Sequence, residues 1–327
     1  MSDAIGVIGG GAWGTALAQV AARDGREVRL WAREPEVVEA INGRHENSLF
    51  LAGVPLAPSI RASGELGWVG ECATILVVTP SQHMRRVLRE LPETGQHLIL
   101  CAKGIEDGTM QLMHEVAREA QAGSPISVLS GPTFAFEVAA GLPTAVTLAS
   151  QDREAAPALA ALLARPGFRP YLSSDVVGAE IGGAVKNVLA IACGVVEGRG
   201  LGQNARAALI SRGFAEMTRF GLARGARAET LAGLSGLGDL VLTCSSTSSR
   251  NFSLGKALGE GRSAAEMLAD RRTVAEGAYT APVLARAAAA AGVDMPIVSA
   301  VCGLLAGEAS ADDVVERLLA RPLRTED

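Results

Sequence analysis

The chain has 327 residues, about twice the common size of a domain, so two domains are expected. Hydrophobic residues make up 48% and charged residues 20%, which supports packed cores and excludes a disordered chain. The net charge of −5 disfavours nucleic acid as a partner.

Cysteine usage and the N-terminus bear on location. The five cysteines are scattered, odd in number and without a CxxC pair, which predicts free thiols in a reducing cytosol and no zinc site or other metal site. No basic segment precedes the first apolar run, so no signal peptide is expected. The uncharged apolar stretches are shorter than the ~18–20 residues of a membrane span. We therefore expect a cytoplasmic protein without a membrane span.

Short strand-like runs alternate with helical patterns in the first part of the chain. Helical patterns such as residues 15–23 and 82–91 separate several of the runs. This alternation predicts βαβ units and a parallel sheet covered on both faces. The predicted strands are residues 5–8, 27–31, 74–78, 97–101, 126–129 and 144–148, with 168–173 as a further candidate.

Beyond about residue 175, stretches rich in Ala, Leu and Gly replace the strand patterns. Ser173, Ser174 and Asp175 stand where helix N-caps are expected. No linker rich in Gly, Ser or Pro marks the change, so the two domains should pack together. The predicted helices are residues 178–196, 205–223, 280–291, 297–306 and 311–320.

The first strand leads directly into Gly9-Gly10-Gly11-Ala12-Trp13-Gly14 and a helical run, which is the GxGxxG pattern in its required context. Gly9 permits the tight turn, Gly11 lets the backbone approach a pyrophosphate, and Gly14 lets the helix pack on the strand. A glycine turn in a generic α/β domain is the alternative. We predict an α/β fold: a Rossmann-like dinucleotide-binding domain at residues 1–175 and an all-α substrate-binding and catalytic domain at 176–327.

The end of the second strand predicts the cofactor. Domains selective for NAD usually carry an acidic residue about 20 positions after the glycines. Here Arg33 occupies that region, and a guanidinium suits the 2′-phosphate of NADP. Glu34 keeps NAD possible. We expect NADP(H) to be preferred and NAD(H) to be usable, unless Arg33 is only a solvated surface charge.

Lys186 is the only charged residue between positions 181 and 196. Burial would lower the pKa of its ammonium group towards neutrality and make it a usable proton donor and acceptor. The alternative is a structural lysine that snorkels or pairs with Glu180 or Asp239.

Residues 245–249 read SSTSS and precede Arg250 and Asn251, a dense set of hydrogen-bond donors that could hold a phosphate group. Asp239 lies just upstream among apolar neighbours. A flexible surface loop is the common alternative for such a run.

Together these segments resemble the bacterial type of NAD(P)-dependent glycerol-3-phosphate dehydrogenase, in order and over nearly the whole chain. The segments are GGGAWGTALA, LWAR, CAKGIE (101–106), LSGPTFAFEV (129–138), GGAVKNVLAIACGVVEG (182–198), GLGDLVLTC (236–244), SSRN (248–251) and VAEG (274–277).

The resemblance implies a role for each matching residue. Lys186 would be the catalytic proton acceptor and donor. Substrate contacts are implied for Lys103, Gly131, Thr133, Lys186, Asn187, Asp239, Ser249, Arg250 and Asn251. Cofactor contacts are implied for Gly9, Gly11, Ala12, Trp13, Gly14, Arg33, Lys103, Ala135, Arg250, Val274 and Glu276. Many relatives carry serine in place of Ala12 and Thr133.

The resemblance also implies the reaction: reduction of dihydroxyacetone phosphate to sn-glycerol 3-phosphate, supplying phospholipid synthesis, in a cytoplasmic homodimer. Two other functions stay open from the residues. One is a β-hydroxyacid or 6-phosphogluconate dehydrogenase type, which also has a helical Lys-Asn pair. The other is a dinucleotide sensor or scaffold without catalysis.

Overall fold

One mixed sheet forms the first half of the chain, in a computed structural model that describes residues 2–269 and 275–320. Its strand order is β3-β2-β1-β4-β5-β6-β7-β8, and all neighbours are parallel except β6 and β7. The strands are β1 (Ser2–Ile8), β2 (Val28–Trp31), β3 (Ile60–Ser63), β4 (Cys72–Val77), β5 (His97–Leu100), β6 (Ile126–Ser130), β7 (Thr144–Ser150) and β8 (Phe168–Ser173).

Seven helices accompany the sheet within residues 2–175. Apolar side chains of α1, such as Leu17, pack with Val7 and Leu30 in one core cluster, while Met84 of α4 packs with Ile8 and Val77 in another. Strands buried in this way explain the continuous apolar runs in the sequence. The helices are α1 (Ala12–Ala22), α2 (Pro35–Arg44), α3 (Leu66–Gly70), α4 (Ser81–Glu90), α5 (Met113–Ala120), α6 (Ala135–Ala140) and α7 (Ala155–Leu163).

The prediction of a wholly parallel sheet is wrong at β6 and β7. The six-residue α6 rises only about 9 Å, whereas a return along the five-residue β6 needs about 16 Å. The chain therefore enters β7 from the edge at which β6 ends. The strand β3 was not predicted from the sequence, because only two of its four residues, Ile60 and Ala62, are buried.

A helical region follows, built around one long helix, α8 (Val176–Gly198). By length and composition α8 could cross a membrane, but 94% of its apolar window is buried inside the protein, as in a core helix. The other helices are α9 (Gly202–Ala223), α10 (Ala228–Leu231), α11 (Asp239–Thr243), α12 (Arg250–Gly259), α13 (Ala264–Ala269), α14 (Glu276–Ala290), α15 (Pro296–Leu305) and α16 (Ala311–Leu319); a π-helical turn at Leu234–Gly238 precedes α11.

Candidate active site

The glycine loop joins β1 to α1 at the carboxyl edge of the sheet. Gly9 has φ +128°, which side-chain-bearing residues rarely adopt, and a Cβ there would lie 2.9 Å from the carbonyl oxygen of Val78. Gly11 is the N-cap of α1 and makes no side-chain cap, and a Cβ on it would meet no protein atom within 4 Å. The start of α1 is therefore uncapped by a side chain and borders open space, as a bound pyrophosphate requires.

Three predicted cofactor contacts, Ala12, Trp13 and Gly14, lie in the first turn of α1. Ala12 is the first residue of α1, and Trp13 follows it. The indole Nε1 of Trp13 is buried without a hydrogen-bond partner in the described part of the chain. Gly14 packs so closely on the loop that a Cβ would overlap the carbonyl oxygen of Gly9.

Arg33 and Glu34 follow β2, beside the glycine loop. The Gly9 N–H donates to the carbonyl of Trp31 at 3.0 Å. The side chain of Arg33 is 70% exposed, and its guanidinium pairs with the Glu34 carboxylate, with Nη2 2.8 Å from Oε1. Arg33, the residue predicted to bind the 2′-phosphate, is thus accessible to solvent, and it is already paired with an acidic residue.

Asp239 connects two lysines from different parts of the chain. Its Oδ1 accepts a hydrogen bond from Lys186 Nζ at 2.7 Å, and its Oδ2 accepts one from Lys103 Nζ at 2.5 Å. Asp239 has no exposed surface, and the side chains of Lys186 and Lys103 are 8% and 13% exposed. Glu180, the other partner considered for Lys186, instead binds His114, with Oε2 2.6 Å from Nδ1.

The charges in this cluster shift one another's ionisation. Burial, with a smaller contribution from the charge of Lys103, lowers the pKa of Lys186 to about 8 against the opposing effect of the Asp239 carboxylate. For Asp239, burial alone would raise the pKa, but the two lysines together hold it below its ordinary value. Lys186 therefore can release and take up a proton near neutral pH while Asp239 stays ionised.

The turn after β6 lies against Lys103. The carbonyl of Gly131 accepts a hydrogen bond from Lys103 Nζ at 3.1 Å and another from Thr133 Oγ1 at 3.3 Å. Ala135 then begins α6. This places three predicted contact residues at the carboxyl edge of the sheet, next to the lysine cluster.

The residues from the polar loop lie at the start of α12. Ser249 is the N-cap, and its Oγ accepts the Phe252 N–H at 3.2 Å. Arg250 is exposed. The Asn251 amide donates to Asn187 Oδ1 at 3.0 Å and accepts the Gly277 N–H at 2.9 Å, which ties α12 to α8 and α14.

Glu276 begins α14 next to this network. Burial raises the pKa of Glu276, while the charges of Arg250, Lys103 and Lys186 oppose that rise. Three cations from distant parts of the sequence therefore influence the same carboxyl group, that of Glu276. Val274, a predicted cofactor contact, lies outside the described residues.

Sequence reasoning missed Thr243. Its Oγ1 accepts a hydrogen bond from Lys186 Nζ at 2.8 Å and donates one to Asp239 Oδ1 at 3.2 Å. A usable signal was present, because residues four apart on a helix share a face and Thr243 follows Asp239 by four on α11.

Family models and relatives agree over the length of the chain. The model described as "NAD-dependent glycerol-3-phosphate dehydrogenase N-terminus" matches residues 4–156, and the corresponding C-terminus model matches residues 175–316. Glycerol-3-phosphate dehydrogenase [NAD(P)+] of Erythrobacter litoralis is 68% identical, covering 100% of this chain and 98% of the relative. That of Caulobacter vibrioides is 55% identical over 99% of both chains.

Solved structures give the same result. The crystal structure of glycerol-3-phosphate dehydrogenase from Coxiella burnetii has a TM-score of 0.93 at 39% identity, covering 98% of this chain and 99% of that one. A glycerol-3-phosphate dehydrogenase of baker's yeast has a TM-score of 0.82 at 29% identity, covering 97% and 99%. These similarities confirm the Rossmann-like fold with its helical second part, and the chain belongs to the NAD-dependent glycerol-3-phosphate dehydrogenase family.

Proposed function

We infer that the chain catalyses the NAD(P)H-dependent reduction of dihydroxyacetone phosphate to sn-glycerol 3-phosphate, and the reverse oxidation. The family supplies the reaction. The observation that carries the inference is Lys186, a buried lysine with a pKa near 8, whose Nζ is held by Asp239 and Thr243. A group of this kind suits proton transfer to a carbonyl oxygen.

The glycine loop fits a dinucleotide, because Gly11 leaves open space at the uncapped start of α1. The predicted cofactor contacts Gly9, Ala12, Trp13 and Gly14 lie on this loop. The reduced cofactor supplies the hydride. The chain contributes the backbone N–H groups for the pyrophosphate and the side chains at the carboxyl edge of the sheet.

We assign proton transfer to Lys186. As the C2 carbonyl of dihydroxyacetone phosphate is reduced, negative charge develops on its oxygen. The ammonium group of Lys186 stabilises that charge and donates the proton; in the reverse direction the neutral amine removes the proton of the C2 hydroxyl. Asp239 and Thr243 fix Nζ in place. Lys103, held by Asp239 and the Gly131 carbonyl, adds positive charge beside the substrate.

We assign the phosphate group to Arg250 and its neighbours Ser249 and Asn251. Lys103, Lys186 and Arg250 outnumber the carboxyl groups of Asp239 and Glu276 around the site, and burial favours the neutral form of Glu276. Net positive charge suits a phosphorylated substrate. Binding the phosphate far from C2 helps to orient the carbonyl for reaction.

Several broader assignments are also proposed. Residues 1–175 would form the dinucleotide-binding domain and residues 176–327 the substrate-binding and catalytic domain. A role in supplying phospholipid synthesis fits the product, and the free thiols of all five cysteines fit a cytoplasmic location. A homodimer is the assembly we expect, and light scattering of the purified protein would test it.

The deciding assay compares oxidation of NADPH and NADH with dihydroxyacetone phosphate and with unphosphorylated dihydroxyacetone. We expect turnover with both cofactors and strong dependence on the phosphate. Equal rates for the two ketones would exclude phosphate recognition, and tight NADPH binding without turnover would favour a dinucleotide sensor.

A further inference from the structure

The side chains of Arg33 and Glu34 lie where a dinucleotide domain distinguishes its two cofactors. A Cβ on Gly10 would lie 2.5 Å from the Cβ of Ala32, so the strand end contacts the glycine loop directly. Arg33 and Glu34 are the next two residues. At this position of the fold an acid binds the ribose 2′-hydroxyl of NAD, whereas an arginine accommodates the 2′-phosphate of NADP.

This chain carries both residue types, and they bind each other. Nε and Nη2 of Arg33 donate to the same oxygen, Oε1 of Glu34, at 3.1 and 2.8 Å. Within the described ranges, Oε2 of Glu34 has no hydrogen bond, so it remains able to accept one. The carboxylate therefore neutralises the arginine and offers an acceptor of its own.

Capping does not explain Glu34. It is the N-cap of α2, but its side chain accepts no hydrogen bond from the helix, and the next residue, Pro35, has no N–H to offer. As a charge near a helix start it contributes a small stabilisation at most. Among residues 2–269 and 275–320, the Glu34 side chain thus has one hydrogen-bonding partner, Arg33.

We propose that Glu34 is the residue that keeps both cofactors usable. Its carboxylate accepts the 2′-hydroxyl of NADH, and it opposes binding of the 2′-phosphate of NADPH both by pairing with Arg33 and by like-charge repulsion. This proposal rests on the proposed function, because it concerns the same dinucleotide site.

The pairing is weak enough to exchange partners. Arg33 is 70% exposed and Glu34 27%, and exposed ion pairs contribute little, equivalent to about fivefold in affinity at most. A dianionic phosphate can therefore draw the guanidinium away from the carboxylate. NADPH binding therefore requires the free energy of breaking the ion pair between Arg33 and Glu34, whereas NADH binding leaves that pair intact.

The test is Glu34→Gln, measured as dissociation constants for NADPH and NADH by cofactor fluorescence in the absence of substrate. We expect NADPH to bind about three- to tenfold more tightly, since both the pairing and the repulsion are lost. NADH should bind about two- to fivefold more weakly, because a neutral amide is the poorer acceptor. The NADPH to NADH preference should shift by about tenfold.

Glu36→Gln is the matched control. Glu36 is exposed in the first turn of the same helix, and its replacement by Gln removes the same negative charge as Glu34→Gln. A long-range electrostatic effect on cofactor binding would therefore appear in both variants. We expect Glu36→Gln to leave both constants within about twofold. An equal response of the two variants, or weaker NADPH binding in Glu34→Gln, would overturn the proposal.

Arg33→Ala supplies the second comparison. It should weaken NADPH about ten- to hundredfold and leave NADH nearly unchanged. In the Arg33→Ala background, Glu34→Gln should lose the part of its NADPH gain that depends on the pairing; an undiminished gain would refute the pairing. Wild-type turnover of dihydroxyacetone phosphate, assayed in parallel, separates failure of this proposal from failure of the proposed function.

Discussion

Replacing Lys186 by methionine isolates the ammonium group, because methionine keeps the unbranched chain and removes the charge. The substitution removes the two hydrogen bonds that Lys186 Nζ donates, to Asp239 at 2.7 Å and to Thr243 at 2.8 Å. Asp239 is not left alone, since Lys103 still binds its other oxygen at 2.5 Å and Thr243 still donates at 3.2 Å. We therefore expect a stability loss of about 1–3 kcal/mol, below the roughly 3–5 kcal/mol of an unpaired buried charge.

Catalysis should suffer far more than folding. General acid catalysis contributes about 10²–10⁴-fold, and stabilisation of the developing oxyanion adds to it. The assay is kcat for NADPH oxidation at saturating dihydroxyacetone phosphate, with NADPH binding and the melting temperature measured on the same protein. We expect NADPH binding to persist and turnover to fall at least a hundredfold.

Thr243→Val is the matched control, because it removes one hydrogen bond from Lys186 and keeps the ion pair with Asp239. Its kcat should fall by no more than about tenfold. If Lys186→Met retains more than about a tenth of wild-type kcat, Lys186 is not the proton donor.

Three further predictions follow from the charges. Because the pKa of Lys186 is about 8, kcat/KM for ketone reduction should fall above about pH 8 while alcohol oxidation rises; flat profiles would contradict this. Arg250→Ala should raise KM for dihydroxyacetone phosphate and lower kcat at saturating NADPH but spare unphosphorylated dihydroxyacetone; an equal penalty on both would point to Lys103 instead. Burial raises the pKa of Glu216, which accepts the Ile297 and Val298 N–H groups, from 4.5 to about 7. The folded state thus keeps a proton that the unfolded chain loses, so stability should fall as pH rises from about 4.5 to 7, by up to about 3 kcal/mol; in Glu216→Gln, melting temperatures should lack that decline.

Local patterns were readable from the sequence, and long-range pairings were not. The order strand, glycines, helix is contiguous, so β1 and α1 follow from spacing alone. The predicted helix at residues 178–196 differs from α8 by two residues at each end. The contact of Lys103 with Asp239 joins positions 136 residues apart, and no periodicity encodes that. The antiparallel β7 likewise depends on the length of α6, a geometric quantity that composition does not reveal.

Glycines in α8 let its backbone approach neighbouring segments closely, which fixes the relative positions of the site residues. A Cβ on Gly182 would overlap the carbonyl of Ser235 in the π-helical turn before Asp239, and one on Gly194 would overlap the carbonyl of Phe252 in α12. The backbone of α8 therefore touches both the turn that places Asp239 and the helix that begins with Arg250. A side chain at either contact would move those groups relative to Lys186, and displacements near 1 Å can cost about a hundredfold in rate. A chain with 38 glycines and 4% aromatics reaches this positioning through backbone contact where large side chains would keep the helices apart.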